Sequence, residues 1–173
     1  MESTKIKNSY KKTVPIKDNK HIKLHIDETI VKQDNDVRSI LYDIYAVLGY
    51  GKPTKSFLDS SDTIGFALLG ISMSEHEALL RNIKIINQDY LSCGIGSALL
   101  KEVENLCRKN GVTRIEGLFR PDTNNRIRRE DVEKFYKKHG YFIYFDDERD
   151  NGWTIAKNLE PLPTPTEEEN SII

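Results

Sequence analysis

The segment Asn87–Leu100 contains the residue types and spacing best suited to bind a ligand. Two glycines, Gly94 and Gly96, follow an apolar run and precede a stretch of helical periodicity. Glycine has no Cβ, so a ligand can approach the main chain closely at these positions. Apolar residues then recur at near-helical spacing: Ile95, Leu99, Val103 and Leu106. Amides of the first helical turn therefore point into the glycine loop, which predicts a phosphate or pyrophosphate site with the Ser97 hydroxyl as an added donor.

Three phosphate-binding devices can be compared with this segment. A Walker loop is excluded, because no lysine follows either glycine at the offset that Gly-x-x-x-x-Gly-Lys requires. The dinucleotide-binding fingerprint is met by the two glycines and by Glu116, which lies about twenty residues further on. However, Leu99 occupies its third glycine position, and the mostly polar stretch 87–93 separates the apolar run from the glycines. That fingerprint requires an immediate turn from strand to glycine, so this alternative is disfavoured.

The third device is a resemblance to a known family. The stretch Leu91-Ser92-Cys93-Gly94-Ile95-Gly96 resembles the acyl-CoA loop of the GNAT superfamily of N-acetyltransferases, in which Arg or Gln, two residues and Gly are followed by any residue and Gly or Ala. Leu91 stands where that superfamily usually has Arg or Gln. Downstream, Phe135–Phe142 reads FYKKHGYF and resembles the superfamily's Phe-Tyr-x-x-x-Gly-Phe segment. The resemblance spans roughly residues 57–159.

The resemblance implies a fold, a reaction and a set of site residues. The implied fold is α/β, with a mixed, mostly antiparallel central sheet and flanking helices. The implied reaction moves an acetyl group from acetyl-CoA, as co-substrate and without a metal, to a primary amine by direct attack on the thioester. The residues expected to bind acetyl-CoA are Ile85, Ile86, Leu91, Ser92, Cys93, Gly94, Ile95, Gly96, Ser97, Asn125 and Tyr136. Ile85 and Ile86 enter this set because the strand before the loop bulges in the superfamily and frees backbone groups for the pantetheine amides.

Two catalytic roles are expected. The resemblance implies that Tyr136 acts as the acid that protonates the departing thiolate, and Glu116, which flanks the predicted cleft, is expected to accept the proton of the amine. Glu75 and Glu77 are alternative bases, and water is another. Cys93 is interpreted as part of the cofactor wall, since no neighbouring base activates it as a nucleophile. Asn125 is considered because the superfamily's asparagine, seven residues before the tyrosine, is replaced here by arginine.

Composition sets the outer bounds of the prediction. The chain has 173 residues, of which 38% are hydrophobic and 31% charged, and this suits one globular domain. A formal charge of −1 gives no overall field for nucleic acid or an anionic membrane. Two cysteines form no disulfide framework, so a cytoplasmic protein is predicted. The expected organisation is a mobile basic arm over 1–20, one GNAT-like domain over 21–159 and a disordered Pro/Glu-rich tail over 160–173.

Periodicity predicts the order of elements. Alternation of Ile22, Leu24 and Ile26 predicts a strand, and the apolar positions of 37–48 fit one face of a helix. A three-stranded meander is expected over 55–86, with its last strand feeding the glycine loop. The remaining expected elements are a helix, a strand over 112–119, a helix closed by Gly140, and a hairpin formed by 141–145 and 153–159. In the superfamily the region of the first helix walls the acceptor site, so Tyr45 or Tyr50 is considered as a substrate contact.

Two further function classes remain open from the sequence. One alternative to the acetyltransferase is a catalytically silent acetyl-CoA sensor, as the missing Arg or Gln suggests. The other is a nucleic-acid-binding accessory protein that uses lysines of 5–20 and arginines of 120–129. The favoured partner is a small-molecule or peptide amine; a membrane partner is not expected, nucleic acid is disfavoured and a homodimer is allowed. The identity of the amine is not specified by the sequence.

Overall fold

A computed structural model describes residues 3–33, 36–48, 62–86, 88–119, 128–145 and 152–160. The strands are β1 (Ser3–Pro15), β2 (His21–Gln33), β3 (Asp36–Val47), β4 (Thr63–Ser72), β5 (Glu77–Ile85), β6 (Arg114–Phe119), β7 (Phe142–Phe145) and β8 (Trp153–Asn158). The helices are α1 (Ile95–Lys109) and α2 (Arg129–Lys138), and a 3-10 turn, Gln88–Tyr90, precedes α1. The first strand expected for the meander, Tyr50, Asn125 and residues 161–173 lie outside the described residues.

The strands form one sheet in the order β1-β2-β3-β4-β5-β6-β8-β7. All neighbouring strands are antiparallel except β5 and β6, which are parallel. A parallel pair needs a crossover connection, and α1 provides it. The predicted fold class, a mixed and mostly antiparallel sheet with flanking helices, is therefore confirmed.

Helix α1 packs against one face of this sheet. Its buried apolar side chains are Ile95, Leu99, Leu100, Val103 and Leu106. They join one core cluster with Ile44, Leu69 and Ile115 of the central strands. Each such side chain contributes about 1.5–3 kcal/mol through burial, so the helix is fixed by its apolar stripe and the glycine loop is held at the sheet.

The helix predicted over 37–48 is wrong, because this segment forms strand β3. Its buried positions alternate along the chain: Ile40, Tyr42, Ile44 and Ala46. Ile40, Leu41, Ile44 and Tyr45 also match the spacing of a helix face, which made the pattern ambiguous. The β-branched and aromatic residues favour the pleated form, and pairing with both β2 and β4 decides the outcome.

The mobile arm expected over 1–20 is also corrected. Strand β1 pairs with β2 along its whole length, from Ser3 opposite Gln33 to Pro15 opposite His21. The Lys12 ammonium lies 2.7 Å from a carboxylate oxygen of Glu102, which is only 5% exposed on α1. The composition of the segment suggested solvated charges. A long-range partner for one lysine is invisible to composition, and this partner ties β1 to the helix.

We expect replacement of Lys12 by methionine to lower the free energy of unfolding by about 1–2 kcal/mol, because the buried Glu102 carboxylate loses its cationic partner. Lys5→Met is the matched control, since Lys5 is an exposed residue of the same strand, on its opposite face. That variant should stay within about 0.5 kcal/mol of the parent protein. Urea unfolding measures both values. Equal stabilities of the two variants would contradict docking of β1 against α1.

Candidate active site

The central feature of the site is the separation of β5 from β6. Their parallel pairing runs from Glu77 opposite Arg114 to Leu80 opposite Gly117 and then ends. Beyond that point β5 continues against β4 as far as Ile85, while β6 continues against β8. A cleft therefore opens between the two strands on the side of the glycine loop. We call this opening the fork.

The backbone of β5 presents free groups toward the fork. The register between β4 and β5 shifts between Leu80 and Asn82, so Arg81 is a bulge. The strand is irregular as expected, but the bulge lies before the isoleucines 83, 85 and 86 at which the sequence pattern placed it. The Ile86 amide donates to the carbonyl of Ile64 on β4 at 2.8 Å. Because backbone groups alternate in direction along a strand, those of Ile85 and Ile83 face the fork instead.

The two predicted positions on β5 thus differ. Ile85 presents its main chain to the fork, whereas the Ile86 amide is engaged in the sheet. Ile83 was not identified from the sequence, although it lies two residues before Ile85. The alternation of a strand is the signal that identifies it once the strand bounds are known.

The glycine loop turns through two residues with left-handed backbone. Ser92 has φ 67° and Gly94 has φ 89°. Gly94 is the N-cap of α1, and no side chain of the described residues caps this helix end. The amides of Ile95, Gly96 and Ser97 have no carbonyl one turn earlier to bind, so they are left for an external acceptor. A helix end with such amides favours an anion, as the sequence predicted.

The side chains of the loop have distinct surroundings. Leu91 and Cys93 are half-buried and Ser92 is exposed, whereas the Ile95 side chain is buried in the core. Ile95 therefore offers only its main chain to a ligand. The Ser97 hydroxyl, expected to donate to phosphate, lies 3.0 Å from Nε2 of His139 on α2. Burial lowers the pKa of His139, which favours its neutral form beside this hydroxyl.

Helix α2 closes the loop from the other side. A Cβ at Gly96 would lie 3.3 Å from the Phe135 ring, so this glycine permits close contact of the two helices. The next residue, Tyr136, is 3% exposed and is the most buried residue of α2. Its ring makes edge contacts with Phe135 and Tyr141 at centroid distances of 5.2 and 5.7 Å.

Burial determines the acid-base properties of Tyr136. It raises the pKa of this hydroxyl well above the ordinary value of 10.0. The hydroxyl therefore stays protonated across the neutral range. This state suits a group that gives a hydrogen to a developing anion.

The three glutamates considered as bases are separated by the structure. Glu77 begins β5 and Glu75 lies in the turn before it, so both are at the opposite end of this strand from the glycine loop. At about 3.3 Å per residue the distance along β5 is roughly 25 Å. Glu116 lies opposite Leu79, one position before the fork opens, and its Oε1 accepts hydrogen bonds from Arg114 Nε and Nη2 at 2.8 and 2.6 Å. Of the three, Glu116 lies nearest the fork.

The two cysteines differ in their environment. Cys107 is buried on α1, and burial raises its pKa to about 12. It is therefore a packing residue with no nucleophilic character. Cys93 is half-buried in the loop, and its carbonyl accepts a bond from the amide of Lys17 at 3.2 Å. This contact from the β1–β2 turn was not anticipated from the sequence.

The fold and this site together define an acyltransferase-type architecture. The model of the acetyltransferase (GNAT) family matches residues 29–141, more than half of the chain. The chain therefore belongs to the GNAT family. The matched range includes the fork, the glycine loop and α2, but it excludes β1 and the turn that follows it.

The chain is also similar to solved structures at low sequence identity. A GNAT-family acetyltransferase from Staphylococcus aureus Mu50 is 14% identical with a TM-score of 0.51, over 69% of this chain and 68% of that chain. Ard1 from Thermoplasma volcanium is 19% identical with a TM-score of 0.48, over 68% and 70%. The ribosomal-protein-S18-alanine N-acetyltransferase from Escherichia coli is 16% identical with a TM-score of 0.47, over 78% and 76%. No curated protein sequence matches the chain. The Staphylococcus structure supports the fold alone.

The described residues show neither a membrane-spanning helix nor a metal-binding cluster. No described helix combines the length and apolarity that a membrane crossing requires. Within the same ranges, no group of three histidine, cysteine, aspartate or glutamate side chains is placed to hold a metal ion.

Proposed function

We propose that this GNAT-family acyltransferase moves an acetyl group from acetyl-CoA to a primary amine. The observation that carries the proposal is the continuity of the fork with the glycine loop. The main chains of Ile83 and Ile85 face the fork, and β5 ends just before the loop with its uncapped helix amides. An extended pantetheine arm with two amides fits the first feature, and a pyrophosphate fits the second.

The residues present agree with such a ligand. Gly94 lies in a left-handed conformation that disfavours side chains, and the missing Cβ at Gly96 allows the close approach of the Phe135 ring. Neither glycine adds a side chain at the end of α1 where the uncapped amides lie. Within this proposal, Leu91 and Cys93 form the wall of the loop, and the Ser97 amide rather than its hydroxyl faces the phosphates, because the hydroxyl already contacts His139.

The proposed chemistry is direct attack on the thioester. The amine nitrogen forms a bond to the carbonyl carbon, the bond between that carbon and sulfur breaks, and sulfur leaves with the electron pair. Glu116, alone or through a water molecule, takes the proton that the amine loses. Tyr136 donates a hydrogen bond from its hydroxyl to the departing sulfur, and the thiolate then takes a proton from solvent. The acetylated amine and CoA are the products.

Acetyl-CoA should raise the melting temperature of the protein and NAD should not, since only a ligand that binds the native state stabilises it. Ser92→Asp should weaken acetyl-CoA binding by about 10-fold or more, because it adds a negative charge beside the phosphates. Ser92 is exposed with φ 67°, a conformation that Asp and Asn tolerate, so folding is preserved. Ser92→Asn has the same shape without the charge and should bind normally. Equal affinities of the two variants by calorimetry would exclude the loop as the phosphate site.

Tyr136→Phe should lower kcat about 100-fold and leave acetyl-CoA affinity intact, because only the donor to sulfur is removed. Tyr141→Phe is the control, since Tyr141 is as buried as Tyr136 and its ring contacts the Tyr136 ring. Because the pKa of Tyr136 is raised, the wild-type rate should show no loss from its ionisation below pH 10. Turnover is read as free CoA thiol against a panel of amines. If the two variants lose the same activity, Tyr136 acts through packing and not as a donor.

Glu116→Gln should reduce kcat by about 100-fold at pH 7, and the deficit should shrink at higher pH as the free amine becomes abundant. Glu77→Gln is the matched control, because Glu77 is an exposed carboxylate that also lies near Arg114 but stands at the far end of β5. A pH–rate profile of both variants separates them. A Glu116→Gln profile that overlays the wild-type profile would assign the proton to solvent.

A further inference from the structure

The turn between β1 and β2 lies directly on the glycine loop. The amide of Lys17 donates to the carbonyl of Cys93 at 3.2 Å. A Cβ built on Gly94 would lie 3.2 Å from the Lys17 nitrogen and 3.3 Å from its Cγ, with Cβ of Ile16 at 3.8 Å. The main chain and the side-chain stem of Lys17 thus occupy the space that a side chain at Gly94, the N-cap of α1, would fill.

The position of this turn is fixed by several independent interactions. Asp18 and Asn19 have φ of 58° and 56°, and the Ile16 amide donates to the Lys20 carbonyl at 2.8 Å. Ile16 packs against the core, and the ion pair of Lys12 with Glu102 holds the strand before the turn against α1. The turn is therefore anchored on both sides of Lys17.

The charge at this position has no partner within the described part of the chain. The Lys17 side chain is exposed, and no described carboxylate lies within ion-pairing distance of its ammonium. The loop itself has Leu91 at the position where its family usually has Arg or Gln. The loop thus lacks a long polar side chain at this position, and the ammonium-bearing side chain of Lys17 begins beside the loop in space.

We propose that Lys17 is a cofactor-contacting residue that binds the pyrophosphate of acetyl-CoA, in place of a cation from the loop. The inference rests on the proposed function, because the loop amides are taken to bind the same pyrophosphate. The flexible four-carbon stem of lysine begins at Gly94 and lets the ammonium reach an anion at the end of α1. The turn lies outside the range matched by the family model, so the contact belongs to this chain's own first hairpin.

The test is the dissociation constant of acetyl-CoA, measured by calorimetry for the full chain and three variants. Lys17→Gln should weaken binding about 10-fold, because one charged contact to phosphate is lost. Lys17→Arg should restore most of the affinity. Lys11→Gln also removes one positive charge, but from the face of β1 opposite to Lys12 and α1, so the dissociation constant should not change. The bond from the main chain of residue 17 to Cys93 survives every substitution, so the shape of the loop is retained.

Two further measurements separate the possible outcomes. The loss caused by Lys17→Gln should be the same for 3′-dephospho-CoA and should shrink at high salt, because it concerns the pyrophosphate and a screened charge. The assignment is overturned if the loss of affinity disappears with 3′-dephospho-CoA. It is also overturned if the Lys17→Gln variant binds acetyl-CoA as tightly as the Lys11→Gln variant, or more tightly. If the wild-type protein binds no acetyl-CoA, the proposed function fails and the role of Lys17 fails with it, whereas wild-type binding without a Lys17 effect refutes this inference alone.

Discussion

The parallel contact between β5 and β6 is the constraint on which the rest of the structure depends. Parallel strands require a crossover, so α1 and the glycine loop must follow the end of β5. The contact is close only because Gly117 has no side chain: a Cβ there would lie 2.9 Å from the Leu80 carbonyl oxygen and 3.0 Å from Ile155. Beyond this pair the bulge at Arg81 turns β5 toward β4. The close contact of Leu80 with Gly117 and the bulge at Arg81 thus define where the fork begins.

Helix α1 carries two buried carboxylates, and each draws in a different part of the sheet. Glu102 is bound by Lys12 of β1, and Glu104 by Lys157 of β8 at 2.8 Å and by Arg108 at 3.3 Å. Removing a cation from either pair would leave a buried charge uncompensated, which is far more costly than losing a surface ion pair. The helix is therefore linked electrostatically to both the first and the last hairpin. Since the turn of the first hairpin rests on the loop, this linkage also positions Lys17.

The parts of this fold that could be predicted are those whose signals are local. The glycine pair, the stripe of α1 and the two sequence motifs are contained in short windows, and they identified the family correctly. Strand β3 was missed because its segment fits two patterns. Ile40, Leu41, Ile44 and Tyr45 fit a helix face, whereas the set Ile40, Tyr42, Ile44 and Ala46 alternates as in a strand, and only pairing with neighbouring strands resolves the ambiguity.

Strand β1 was missed for a related reason. Its lysines resemble a solvated arm in composition, and the carboxylate that binds one of them is ninety positions away in the chain. The contact of Lys17 with the loop is equally remote in sequence. Charge partners and backbone contacts of this kind depend on the assembled sheet, so no pattern in the sequence of β1 or its turn identifies them.

The burial of Tyr136 defines what this residue can do in the proposed reaction. A thiol has an ordinary pKa of about 8.5 and a tyrosine one of about 10, and burial raises the pKa of Tyr136 further. Full proton transfer from this hydroxyl to a free thiolate is therefore unfavourable at equilibrium. A hydrogen bond to sulfur as the carbon–sulfur bond lengthens requires no such transfer, and it is strongest in a site from which water is excluded. The packing of Phe135 and Tyr141 around the ring provides that exclusion. On this argument the same apolar contacts that make Tyr136 a weak acid make it an effective donor to the leaving sulfur, and the final proton reaches the thiolate from solvent after CoA departs.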